Sequence, residues 1–131
     1  MTRRELREQI FYMLFRVEFH EVEEMPEQFR MYEEMLVRCS EKDTNYIKEK
    51  VNDIVAHVAE IDELINNVAE GWKTTRMGKV DLSILRLAVY EMKYDEDVPV
   101  KVAINEAIAL SKSYVTDDSA AFINAVLAKL V

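Results

Sequence analysis

The sequence predicts an all-α fold of six to seven helices in two packed helical bundles, and three observations predict it. Apolar residues recur at helical spacing along most of the chain. Two glycines, Gly71 and Gly78, and two prolines, Pro26 and Pro99, are too few turn residues for an all-β domain of 131 residues. Half of the residues are hydrophobic and 32% are charged, the balance of a packed domain rather than a disordered chain. The length suits a single domain, residues 1–131, divided into an N-terminal helical subdomain of about 1–70 and a C-terminal one of about 71–131.

In the first helix, expected from Thr2 as N-cap to about Glu21, Leu6, Ile10, Leu14 and Val17 make one apolar stripe. Phe11, Phe15 and Phe19 make a second, rotated by about 100° from it. Pro26 suits the first turn of the next helix, where Phe29, Tyr32, Leu36 and Cys39 keep one face apolar. Ser40 or Asp43 can cap a third, with Ile47, Val51, Ile54, Val55 and Val58 toward the core. The period continues through Ile61, Leu64, Ile65 and Val68, so a kink or break is expected near 58–62, before Gly71 stops the helix.

Residues 71–79 hold both glycines and form the clearest joint, which Trp72 is expected to plug. Leu82, Ile84, Leu85, Leu87, Ala88, Val89 and Met92 surround so much of the next helix that it belongs at the centre. Asp95 to Pro99 breaks the pattern. Val102, Ile104, Ala107, Ile108 and Leu110 mark another helix up to Tyr114. Asp117, Asp118 or Ser119 caps a last one carrying Phe122, Ile123, Val126, Leu127 and Leu130. Asn105 and Asn124 interrupt apolar faces, as hydrogen-bonding bridges between helices would.

No apolar run approaches the ~20 residues of a membrane span; the longest is Ile10 to Phe15. No signal peptide is recognisable, and one cysteine, Cys39, cannot form an internal disulfide. These features point to a cytoplasmic protein without a membrane partner. Nucleophile elbows, phosphate loops, dinucleotide fingerprints and zinc-helix motifs are all missing. His20, His57 and Cys39 are too scattered in sequence to suggest a metal site. The expectation is a protein with no catalytic residues, no metal and no cofactor.

The net charge of −8 is unevenly spread. Residues 17–70 carry 15 acidic and 5 basic side chains, and 71–131 carry 8 of each. Residues 1–16 hold Arg3, Arg4, Arg7 and Arg16 against Glu5 and Glu8. Cations in the first turns of a helix oppose its dipole and cost ~0.3–1 kcal/mol each. A frayed, solvated end removes that cost, and so does a bound phosphate, held by guanidinium forks and the exposed N–H groups of the helix start. The phenylalanine stripe likewise admits a core neighbour or a partner protein. Phe122, just after the polar turn 116–119, suits either the core or stacking on an unpaired base.

V-D-L-S-I-L-R-L-A-V-Y-E-M at 80–92, V-P-V-K-V-A-I-N-E-A-I-A-L-S-K at 98–112, D-D-S-A-A-F-I-N-A-V-L at 117–127 and the opening R-R-E-L-R-E at 3–8 together resemble the NusB transcription antitermination family. The resemblance implies two packed helical bundles and binding of boxA, a single-stranded element of ribosomal-RNA transcripts. It also implies a complex with NusE, a ribosomal protein of the small subunit, within an antitermination assembly on RNA polymerase. Arg3, Arg4 and Arg7 match the family's arginine motif for RNA, and Asp118, Ser119 and Phe122 match the second part of its RNA surface. By the same resemblance Phe11, Phe15, Asp81 and Leu82 fall to the NusE contact. Leu82 stands where a basic residue often follows the acidic one, and Ala125 replaces a common glycine. Some family members form a homodimer over the RNA surface, which this sequence neither requires nor forbids. The competing reading is a helical protein-interaction scaffold that makes no direct RNA contact.

Overall fold

A computed structural model describes residues 1–19, 22–35 and 40–131, with the backbone alone for Val22, Met25 and 32–35. Among the described residues there are seven α-helices: α1 (Arg3–Val17), α2 (Met25–Met35), α3 (Glu41–Ala56), α4 (Val58–Val68), α5 (Lys79–Tyr94), α6 (Val100–Tyr114) and α7 (Asp117–Ala128). Short 3-10 turns occupy Val22–Glu24 and Thr74–Arg76. None of these helices is long and apolar enough to cross a membrane. The expected contributions of His20, Leu36 and Cys39, and of the Tyr32 side chain, lie outside the described residues.

The chain divides into two compact units, Met1–Asp53 and Ile54–Val131. That boundary falls inside α3, not near residue 70 as the glycine-rich joint suggested. The reason is that α4 packs on α5 and on the 74–76 turn, which places it in the second unit.

In the first unit α1 begins as its sequence predicts. Thr2 is the N-cap, and its hydroxyl accepts from the Glu5 N–H at 3.1 Å. The Glu5 carboxylate in turn accepts from the Thr2 N–H at 3.0 Å, completing a capping box. The Met1 ammonium donates to Asp43 Oδ2 at 2.8 Å. The start of α1 is therefore tied down, not frayed. The helix ends four residues before the expected Glu21: the Glu18 N–H turns back to Phe15 O and the Phe19 N–H to Arg16 O, closing i−3 bonds that tighten the last turn. Ile10, Phe11, Met13 and Leu14 are buried, so both stripes contribute to the core at mid-helix. Ser40 caps α3, accepting from the Asp43 N–H at 3.1 Å, and Ile47 and Val51 are buried as the spacing requires.

The second unit is built around α5, which packs against α4, α6 and α7. Leu82, Ile84, Leu85, Leu87, Ala88, Val89 and Tyr90 are all buried. Two buried hydroxyls need no outside partner, since Ser83 donates to Lys79 O and Ser111 to Ala107 O within their own helices. The break between α3 and α4 falls at His57, just before the expected 58–62, where the His57 N–H reaches only to Ile54 O. α4 ends at Val68 with Ala69 as its C-cap, and Gly71, two residues further on, turns the chain with φ +76°, a left-handed conformation that a side chain would strain. The Thr74 N–H donates to Asn66 Oδ1 at 2.8 Å and docks the following 3-10 turn on α4.

An ion pair links α4 and α5. Arg86 of α5 grips Asp62 of α4 with two hydrogen bonds, Nε to Oδ1 at 2.9 Å and Nη2 to Oδ2 at 2.8 Å. Burial pushes the Asp62 carboxyl up, to about 6, and the Arg86 guanidinium down.

Several expectations are corrected. Trp72 plugs nothing: it is 55% exposed. Val102 is exposed rather than part of a core face. Asn105 and Asn124 are exposed and do not bridge buried faces; the bridging asparagine is Asn66. The cap of α7 is Thr116, one residue before the three expected, because its extended backbone lets its hydroxyl accept from the Ser119 N–H.

Candidate nucleic-acid interface

The expected site residues fall on both units, and each group is described within its own. In the first unit Arg3 and Arg4 are exposed and Arg7 is half-buried, all in the first two turns of α1. The capping box inserts one acid, Glu5, among them. Its carboxyl lies below the ordinary range because the Thr2 backbone N–H and then the Thr2 hydroxyl bind it. The cap therefore supplies the negative charge that the dipole favours, and the arginines are carried by a helix start already secured.

The phenylalanine stripe grades along α1. Phe11 is only 3% exposed and is core, so it offers a partner no surface. Phe15 is half-buried, and Phe19, beyond the end of the helix, is 59% exposed. The Phe15 and Phe19 rings meet edge to face at 5.1 Å. The apolar surface left for a partner is at this end of the stripe. Leu82 is corrected for the same reason: at 2% exposure it faces inward, about 100° around α5 from half-buried Asp81.

In the second unit the structure gathers Asp81, Asp118, Ser119 and Phe122 around one cleft of about 250 Å³, whose remaining walls are Trp72, Met77 and Gly78. Two helix starts make it. Gly78 begins α5 and sets Asp81 in its first turn; Thr116 begins α7 and sets Asp118 and Ser119 in its first turn. The Ser119 hydroxyl donates to Asp81 Oδ2 over a long 3.4 Å, joining the two starts. Asp81 Oδ1 is buried with no hydrogen-bond partner. Burial pushes this carboxyl up, and the Ser119 hydrogen bond opposes the rise. The Phe122 ring lies edge to face with Trp72, centroids 6.2 Å apart. Sequence reasoning missed Trp72, Met77 and Gly78 as cleft walls. The signal available was a tryptophan beside a glycine in a polar joint, which reads equally well as a plug.

Among the described residues no three His, Cys, Asp or Glu side chains converge where a metal ion could sit. The cleft offers two aromatic rings, a hydroxyl and two carboxylates.

The NusB family model matches residues 4–131. The transcription antitermination protein NusB of Agathobacter rectalis is 52% identical over 129 residues, 98% of each chain. That of Lachnoclostridium phytofermentans is 50% identical over 131 residues, covering 100% of this chain and 99% of the relative. Among solved structures, T. maritima NusB superposes with a TM-score of 0.85 at 31% identity, covering 99% of this chain and 90% of that one. A crystal structure of the antitermination factors NusB and NusE in complex with dsRNA gives a TM-score of 0.81 at 25% identity, covering 98% and 94%. With a family match over nearly its whole length and relatives at half identity, the chain belongs to the NusB family.

Proposed function

We propose that the protein is a non-enzymatic transcription antitermination factor that binds single-stranded boxA RNA of ribosomal-RNA transcripts together with NusE, and so helps RNA polymerase resist termination. The observation that carries this reading is the full-length similarity to relatives named transcription antitermination protein NusB, joined by the likeness to a NusB–NusE complex with dsRNA. The mechanism follows from the residues. Arg3, Arg4 and Arg7 hold phosphates by charge-assisted hydrogen bonds at the start of α1. Asp118, Ser119 and Phe122 meet the bases, Phe122 by stacking. Phe15, with Phe19 beside it, and Asp81 face NusE; Phe11 and Leu82 act only by shaping the helices that present them. The protein works in the cytoplasm, on nascent transcripts.

Exposed Phe19 favours a protein contact, which a scaffold without RNA contact would also use. A gel shift separates the two readings. A boxA RNA is expected to shift with the protein and more strongly when NusE is added, while a scrambled RNA of equal length stays free. Equal retention of both RNAs, or NusE binding with no RNA shift, would overturn the proposed function.

A further inference from the structure

Residues 69–78 join α4 to α5, and Trp72, Met77 and Gly78 among them form one wall of the cleft. Their own backbone bonds are local: the Trp72 N–H donates to Ala69 O at 3.0 Å, the Arg76 N–H to Lys73 O at 2.8 Å and the Met77 N–H to Thr74 O at 3.3 Å. Such bonds shape a turn without fixing it to a neighbouring element. Among the described residues, the side-chain hydrogen bonds that tie this segment to a helix run through Asn66, in the last turn of α4. Asn66 Oδ1 accepts from the Thr74 N–H at 2.8 Å, and Nδ2 donates to the Thr74 hydroxyl over a longer 3.4 Å. Thr74 is buried, so its N–H is costly to leave without this acceptor, and the turn must move for water to reach it. Met77, at the far end of the wall, is held by its own burial. Trp72 is not: its side chain is largely in solvent, so the backbone two residues before Thr74 decides where the indole stands. That indole meets the ring of half-buried Phe122 edge to face.

We propose that Asn66 is a positioning residue for RNA binding: through Thr74 it holds the wall in place, and Trp72 in that wall fixes the Phe122 ring in the orientation that meets RNA. This rests on the reading of Phe122 as an RNA contact and adds to it a residue that touches no RNA itself. The role is separable from stability. Ile61 and Ile65 of α4 are buried and carry the packing of that helix, and the Asp62–Arg86 fork ties it to α5. Alanine is a better helix former than asparagine, so α4 keeps its helix when Asn66 is truncated. What is lost is the acceptor opposite Thr74, and with it the position of the wall.

Trp72 is the only tryptophan, so the polarisation of its emission reports on the wall alone. Asn66→Ala is expected to lower that polarisation, because a released indole reorients faster, and to weaken binding of a labelled boxA RNA about fivefold with the melting temperature nearly unchanged. Asn66→Asp keeps an oxygen opposite the Thr74 N–H and is expected to recover the polarisation and most of the affinity. In the Phe122→Leu background Asn66→Ala is expected to cost no further affinity, because the ring it positions is gone. Unchanged Trp72 polarisation in Asn66→Ala, unchanged RNA affinity, no recovery in Asn66→Asp, or an equal loss of affinity in the Phe122→Leu background each overturns the positioning role and leaves the RNA-binding reading standing. A wild-type protein that binds no boxA RNA overturns both.

Discussion

Replacing Arg3, Arg4 and Arg7 together by alanine is expected to weaken boxA RNA binding about 100-fold at 0.1 M salt and to leave the fold intact. The magnitude follows from counterion release. Each neutralised phosphate on a single strand changes log affinity by about 0.7 per decade of salt, so three contacts contribute roughly 100-fold between 1 M and 0.1 M. The fold is expected to survive because Thr2 and Glu5 cap α1 without the arginines, and the Met1 ammonium anchors it to Asp43. Alanine is also the better helix former, and it removes cations that the helix dipole opposes. Affinity and stability therefore separate: binding is lost while the melting temperature holds or rises slightly. Fluorescence anisotropy with a boxA RNA, alongside thermal unfolding, reads both. Unchanged affinity would remove the arginines from the interface.

The largest stability effect is expected at Arg86. Arg86→Met leaves the Asp62 carboxylate partly buried without its two guanidinium hydrogen bonds, and breaking a buried pair from one side costs about 3 kcal/mol. For a chain of this length that lowers the melting temperature by about 10 °C. Replacing both partners, Arg86→Met with Asp62→Leu, is expected to restore most of the loss, because no charge is then stranded. The pH dependence has a definite sign. The folded pKa of Asp62, pushed up to about 6 by burial, lies above its unfolded value near 3.9, so its ionisation opposes folding. Its contribution is most favourable below about pH 4 and declines as pH rises through the folded value. Removing Arg86 raises that value further, so the single variant loses more stability at pH 8 than at pH 5. Urea unfolding at the two pH values measures this, and a loss independent of pH would place its cause elsewhere.

What could be read in the sequence follows the range of each interaction. Thr2 as cap and the apolar girdle of α5 are local or periodic signals, and the structure reproduces them; Gly71 turns the chain after α4 has already ended at Val68. The Asp62–Arg86 fork joins residues 24 apart, and the Ser119–Asp81 bond joins residues 38 apart; no spacing rule links either pair before the helices are packed. The same limit explains the errors. Phe11, Phe15 and Phe19 look equivalent by period, yet the helix ends at Val17 and leaves Phe19 outside it, so one stripe supplies both core and surface. Leu82 reads by period as part of the α5 girdle and by resemblance as part of the NusE contact, and its burial agrees with the period. Trp72 was misplaced because large aromatic residues are usually covered; here its neighbour is Phe122 across an open cleft.

The claim on which the functional account depends is that guanidinium groups at the start of α1 grip an RNA backbone. A salt titration of boxA RNA binding tests it most directly. Three or four arginine or lysine contacts to a single strand predict that log affinity falls with log salt at a slope of about −2 to −3, and that the triple alanine variant, left with at most one contact, has a slope between zero and about −0.7. A wild-type slope near zero, or a variant slope equal to that of the wild type, would contradict the account.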